Sequence, residues 1–348
     1  MRKMTVSVPS RPYDVCFDAG LLFGAGEVMR AAKKSAGRVA IVTDEAVGAR
    51  YAGIVRLNLE AAGFLPSVVN IPAGQAGRTL ETAARLCDAF EAAGLSRGDV
   101  VAALGGTSVC SAALFAAAIY LGGTDFVALP TTLAAQAGAA AGGVARVALS
   151  GGEMLAGTYH PPRLVLCDTD CLASLPEDVR AAGVAEIIRT ALVADAVLLK
   201  RLEKGMTPES MAERCCKDRI ALIEQDEAAR GAQKVLSFGH AVGDALQKTT
   251  GCPSGAALAA GMAAALRMTE RMELLQEPAL PARLEALLAR FSLPARVPCD
   301  VDALFHAVMQ DRRRAAGDVE IVLVPSAGCA QLCRISAEAL QTLLREVL

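Results

Sequence analysis

Three side chains of this sequence have the types and spacing to hold a metal ion. FGHAVGD sets His240 and Asp244 four residues apart, which on a helix is one turn and one face. A divalent ion of the zinc type takes imidazole and carboxylate donors and wants a third from another segment. Glu186, flanked by apolar residues in VAEIIR, is the candidate. The same residues also read as a capped or hydrogen-bonded core histidine, and the pattern leaves both open. Gly105-Gly106 is the second place for chemistry, because it follows an apolar run and precedes a helical pattern. There an α/β sheet offers backbone N–H groups and the positive end of a helix to a pyrophosphate. The pair is not a full G-x-G-x-x-G, so a tight turn stays open beside nucleotide binding. Cys167 and Cys171, Cys215 and Cys216, and Cys329 and Cys333 lack the two-residue spacing of a zinc knuckle. They read as small buried hydrophobes.

The elements that must position these groups fall into two kinds. Residues 39–43 (VAIVT), 100–104 and 126–129 are short apolar runs that read as buried strands, alternating with helical patterns at 80–93 and 109–121. Such alternation means a parallel sheet covered on both faces. From about residue 175 the signal is a 3.6-residue periodicity, at 176–202, 206–227, 238–249, 255–275 and 280–290, with a late apolar run at 319–324 that reads as a strand. The 348 residues suit two packed domains. A formal net charge of −2, with 21% charged residues, gives no basic field for nucleic acid or an anionic membrane surface, so a small ligand or protein partner is expected. No apolar h-region precedes the first prolines, and an odd count of 11 scattered cysteines fits free thiols in a reducing cytoplasm.

One stretch stands apart. In LPTTLAAQAGAAAGGVARVAL, residues 129–149, the strand ends in Pro130-Thr131-Thr132, and residues 134–145 then contain no ionisable group. It reads as the lip of a site without its chemical groups.

ALGGTSVCSAALFAAAIYLGGTDFVALPTTLAAQ, GTYHPP, GVAEIIRTAL, DEAARGAQKVLSFGHAVGDAL and SGAALAAGM occur in the order and spacing of 3-dehydroquinate synthases, the sugar-phosphate cyclase family. The chain resembles that family from VAIVTDEAV to DRRRAAGDVEIVLV. The resemblance implies an α/β plus all-α fold: a Rossmann-like nucleotide-binding domain with a parallel sheet over 1–157, a helical metal-binding-type domain over 158–348, and a cleft between them. It also implies a homodimer. In the family NAD takes hydride from a seven-carbon keto-acid phosphate, phosphate is eliminated, hydride returns and the product closes to a carbocycle, with zinc or cobalt polarising the reacting oxygens.

The resemblance assigns Asp44, Gln75, Arg78, Gly105, Gly106, Thr107, Thr131 and Thr132 to the nucleotide, and Glu186 and His240 to the metal. It also exposes departures. The acid and lysine of the family's V-D-S-S-V-G-G-K stand here as Gly138 and Val144, and the G-K-N segment as Gly152-Glu153-Met154. The third metal-binding His is Ser254, with Ala256 in place of the following Glu, and the second His of G-H-x-x-G-H is Asp244. The Arg and Asn before that motif are Gln233 and Ser237; the third Gly of the turn is Thr107, and the Asp after it is Ser111. Family lysines appear as Arg78, Arg189, Arg219 and Arg312 or Arg313, which keep the charge and change its geometry. Arg189, Arg219 and Asp244 are the remaining catalytic candidates. The expectation is a paralogue, non-catalytic or diverged, that has lost the ancestral cyclase activity, since Ala139, Ala140, Ala141 and Val144 put methyl groups into a polar site. The alternative is an active NAD- and metal-dependent synthase or related cyclase, with Glu186, His240 and Asp244 as a rebuilt metal triad and arginines holding an anionic sugar phosphate.

Overall fold

A computed structural model of the chain describes residues 1–33, 37–150, 154–311 and 318–348. They group into two compact units, Met1–Leu175 with Arg219–Ala229, and Pro176–Asp218 with Arg230–Leu348. Seven strands of the first unit form one sheet: β1 (Arg2–Val6), β2 (Tyr13–Asp18), β3 (Arg38–Asp44), β4 (Leu65–Ile71), β5 (Val100–Gly105), β6 (Asp125–Pro130) and β9 (Leu164–Asp168). Their order is β1-β2-β9-β6-β5-β3-β4, and every pairing except β1 with β2 is parallel. Strands covered on both faces need apolar residues at every position, and VVAALG of β5 is buried throughout. Ile41, Leu104, Leu129 and Leu166 pack in one core with Val55, Leu59 and Phe64. β7 (Val144–Val147) and β8 (Ala156–Tyr159) form a separate antiparallel ladder.

β9 lies between β2 and β6, so the expected division after residue 157 falls inside this unit. Short-range patterns also could not announce that Arg219–Ala229 belongs here. Glu224 accepts a hydrogen bond from Ser7 N (2.8 Å), and Glu227 accepts one from the Tyr159 hydroxyl (2.7 Å).

The second unit is helical, with one antiparallel pair, β10 (Val319–Ser326) and β11 (Cys329–Ile335). The single helix expected over 176–202 is two, Glu177–Ala194 and Ala196–Lys204. Asp195 breaks it by capping the second: its Oδ1 accepts from Val197 N (2.8 Å) and Leu198 N (3.1 Å). Pro208–Gln225, His240–Thr250, Ser254–Arg271 and Leu280–Arg290 match the periodic segments within a few residues. Helices His240–Thr250 and Ser254–Arg271 approach through small residues; a Cβ on Gly261 would stand 2.2 Å from Gly239 O, and one on Gly243 would stand 2.9 Å from Ala257 O. Among the described residues no helix is long and apolar enough to cross a membrane. Among the described residues no two cysteines form a disulfide.

Candidate active site

Chain order turns back between β3 and β5. β4 was laid on one side of β3, and β5, β6 and β9 follow on the other. Carboxyl ends of parallel strands at such a reversal bind ligands in doubly wound sheets. Here those ends carry Asp44, Gly105-Gly106 and Thr131-Thr132. Helix Thr107–Ile119 starts at Gly106 with no side chain capping its N–H groups, which leaves its positive end for an anion. Neither glycine can be replaced without movement. A Cβ on Gly105 would lie 2.7 Å from Val109 Cβ, and one on Gly106 would lie 2.9 Å from Thr132 Cγ2. Thr131 N donates to Gly105 O (3.0 Å), while its buried hydroxyl has no hydrogen-bond partner. A buried hydroxyl left alone is costly, and a ligand oxygen at the turn would satisfy it. These residues fit a dinucleotide.

Around the turn the other candidates separate. Asp44 caps the next short helix, accepting from Val47 N (2.9 Å). Gln75 is exposed in the turn Gly74–Gly77. Arg78 Nε donates to Arg146 O (2.7 Å), and burial with the charge of Arg146 pulls its guanidinium down to about 10. Ser111, in place of the family's acid, donates to Arg146 O (2.9 Å) and accepts from Arg146 N (3.1 Å). Sequence reading overlooked Arg146, although it is the sole ionisable residue between Asp125 and Glu153.

Gly138, where the family has an acid, has φ +117°, and a Cβ there would stand 2.8 Å from Arg219 Cδ. The Arg219 stem thus fills the space of the lost side chain. Gln136 is fully buried and pins the stretch by donating to Pro130 O (3.0 Å) and Asp168 O (2.7 Å). Gly152, Glu153, Arg312 and Arg313 lie outside the described residues.

In the helical unit, Glu186 and Arg189 are three residues apart on helix Glu177–Ala194, and His240 opens the helix that follows Gly239 at φ +79°. Arg189 is 3% exposed. Its Nη2 donates to Glu186 Oε2 (2.5 Å) and its Nη1 donates to His240 Nε2. A guanidinium has no lone pair to offer, so Nε2 accepts and the ring proton sits on Nδ1, which faces Asp244 Oδ1 at 3.0 Å. The order is therefore carboxylate, guanidinium, imidazole, carboxylate.

This corrects the expected triad. Asp244 backs the imidazole from Nδ1, on the opposite side from the nitrogen facing Glu186 and Arg189, and so cannot share an ion with Nε2. Ser254 is exposed at the first residue of helix Ser254–Arg271. Among the described residues no group of three His, Cys, Asp or Glu is placed to hold a metal ion. The residues present do not fit a divalent cation here, because Arg189 occupies the one lone pair of His240 Nε2 and also donates to the Glu186 carboxylate.

The family models and the sequence relatives agree on one family. The 3-dehydroquinate synthase N-terminal model matches residues 68–182, and the C-terminal model of the same enzyme matches residues 183–314. The chain is 33% identical to a 3-dehydroquinate synthase of Enterococcus faecalis, covering 98% of both chains. It is 34% identical to one of Caulobacter vibrioides, covering 99% of both. In fold it is similar to a 2-deoxy-scyllo-inosose synthase solved with carbaglucose-6-phosphate, NAD+ and Co2+, at TM-score 0.89 and 21% identity over 100% of each chain. The chain belongs to the 3-dehydroquinate synthase family.

Proposed function

We propose that this protein is a divergent 3-dehydroquinate-synthase-like paralogue that keeps a dinucleotide-binding turn and no longer carries out metal-dependent ring closure. One observation carries the reading: the Arg189 guanidinium spans Glu186 and His240. Losing one preorganised electrostatic contact typically costs about a hundred- to a thousandfold in rate, and here the departures at Ser254, Asp244, Gly138 and Val144 come together. Such losses do not simply multiply, since the residues of a site act as a unit.

On this reading Gly105, Gly106, Thr107, Thr131 and Thr132 hold the pyrophosphate of NAD, with Asp44 at the neighbouring strand end. NAD, when bound, supplies a hydride acceptor. The buried, partnerless hydroxyl of Thr131 supports this assignment. Arg78, Arg146 and Arg219 are the cations that would face an anionic ligand of sugar-phosphate type. Residence in the cytoplasm as a homodimer belongs to the same proposal.

A second reading is favoured by a different observation. Whole-chain identity to curated 3-dehydroquinate synthases supports an active synthase of the shikimate pathway better than it supports loss of activity. Phosphate release from the seven-carbon keto-acid phosphate, with NAD and zinc supplied, separates the two. We expect no release above that of the His240→Ala variant; turnover that the variant abolishes would establish the active synthase instead. In parallel, NAD should raise the melting temperature of the wild type and not that of Gly106→Val.

A further inference from the structure

We infer that Arg189 is a built-in cation that does the structural work of a metal ion in the helical unit and keeps divalent cations out of it. Lone pairs decide between the two cations. A divalent ion bound to Glu186 and His240 would need the single Nε2 lone pair, which one arm of the guanidinium already engages while the other arm donates to Glu186 Oε2. Arg189 and a metal ion are therefore mutually exclusive at this place.

Displacement is unfavourable because of burial. Arg189 is 3% exposed and its partner Glu186 22%. Moving the guanidinium aside would leave a buried positive charge without its carboxylate, the arrangement that makes broken buried pairs so costly. Arginine suits the role better than lysine would. Its planar fork gives two donors in fixed geometry, one for each acceptor, whereas an ammonium is a single compact charge. Asp244 completes the arrangement from behind, holding the ring proton on Nδ1 so that Nε2 stays an acceptor. The links join helix Glu177–Ala194 to helix His240–Thr250 without any ion.

The inference shares its location with the functional reading above and deepens it, but its test reads binding and melting rather than turnover. An active protein that takes up no metal would sink the functional reading and leave this one standing.

The test is cobalt titration of the full chain, followed by visible absorption, together with melting curves in a chelator and in excess cobalt. Wild type, Arg189→Lys, Arg189→Ala and Arg189→Lys/His240→Ala are compared; the lysine variant covers the case in which the alanine variant does not fold. The wild type should show no cobalt absorption and one melting temperature in chelator and in cobalt. Arg189→Lys should melt lower and gain a cobalt-dependent rise that the added His240→Ala abolishes. Stoichiometric cobalt on the wild type, or a folded Arg189→Lys that ignores cobalt, would overturn the inference.

Discussion

The turn at Gly105-Gly106 and the cluster around Arg189 have met sequence drift in opposite ways. At the turn, recognition of an anion depends on backbone N–H groups and a helix end, neither of which a side-chain substitution removes. Packing protects it as well, since Gly105 is closed in by Val109 and Gly106 by Thr132 whether or not a ligand binds. Thr107 and Ser111 replace the family's residues there, and the geometry persists. At the cluster, the contacts that link Glu186, Arg189, His240 and Asp244 run from side chain to side chain. A few substitutions therefore change its chemistry while both helices stay in place. Backbone-built sites outlast their ligands, and side-chain-built sites can be rewired quietly.

The largest expected effect tests the rewired side. Glu186→Ala leaves the Arg189 guanidinium buried without its carboxylate and should destabilise the chain by roughly 3–5 kcal/mol in denaturant unfolding. A cost typical of a surface pair would mean that the carboxylate has no such role. Restoring the family's acid should also be costly. Gly138→Asp meets both φ +117° and the Arg219 stem, and should lose about 1–3 kcal/mol. Arg219→Ala in the same background should recover part of that loss, and no recovery would mean that strain alone is responsible.

On the nucleotide side, Ser111→Ala removes two hydrogen bonds to the Arg146 backbone and should cost about 1 kcal/mol, with NAD affinity hardly changed. A large loss of NAD binding would make Ser111 part of the ligand site.

A separate effect is a pH dependence away from both regions. Burial, with the charge of Asp195 beside it, pushes the Asp218 carboxyl from 3.8 up to about 7. Burial opposes ionisation of Asp195 too, but hydrogen bonds from Arg214 and Leu198 N–H outweigh it and keep that carboxyl below its usual range. Asp218 thus holds a proton in the folded chain that it has lost in the unfolded chain between about pH 4 and 7. Its contribution to stability falls as pH rises through that window. Asp218→Asn should flatten the decline, seen as a smaller change in melting temperature between the two ends of the window. An identical slope in the variant would assign the dependence to other groups.

Much of this was legible in the sequence, for identifiable reasons. Runs such as VVAALG announce buried parallel strands because both faces need apolar residues, and the strand-turn-helix around Gly105 follows from that run meeting a helical pattern. Periodicity also put Glu186 and Arg189 in one helical segment. It could not say which residue of another helix would meet them, so Arg189 was assigned to a substrate anion rather than to His240. Four-residue spacing placed Asp244 beside His240, but not on which ring nitrogen. The placement of β9 and of Arg219–Ala229 depends on pairings between distant residues, and no local pattern carries those.

The central claim is that a guanidinium has taken the place of the ion in the helical unit. Elemental analysis of the full chain, purified from zinc-supplemented cells without chelator, tests it most directly. The account predicts zinc well below one equivalent and the same trace in His240→Ala. A full equivalent that disappears in His240→Ala would contradict it.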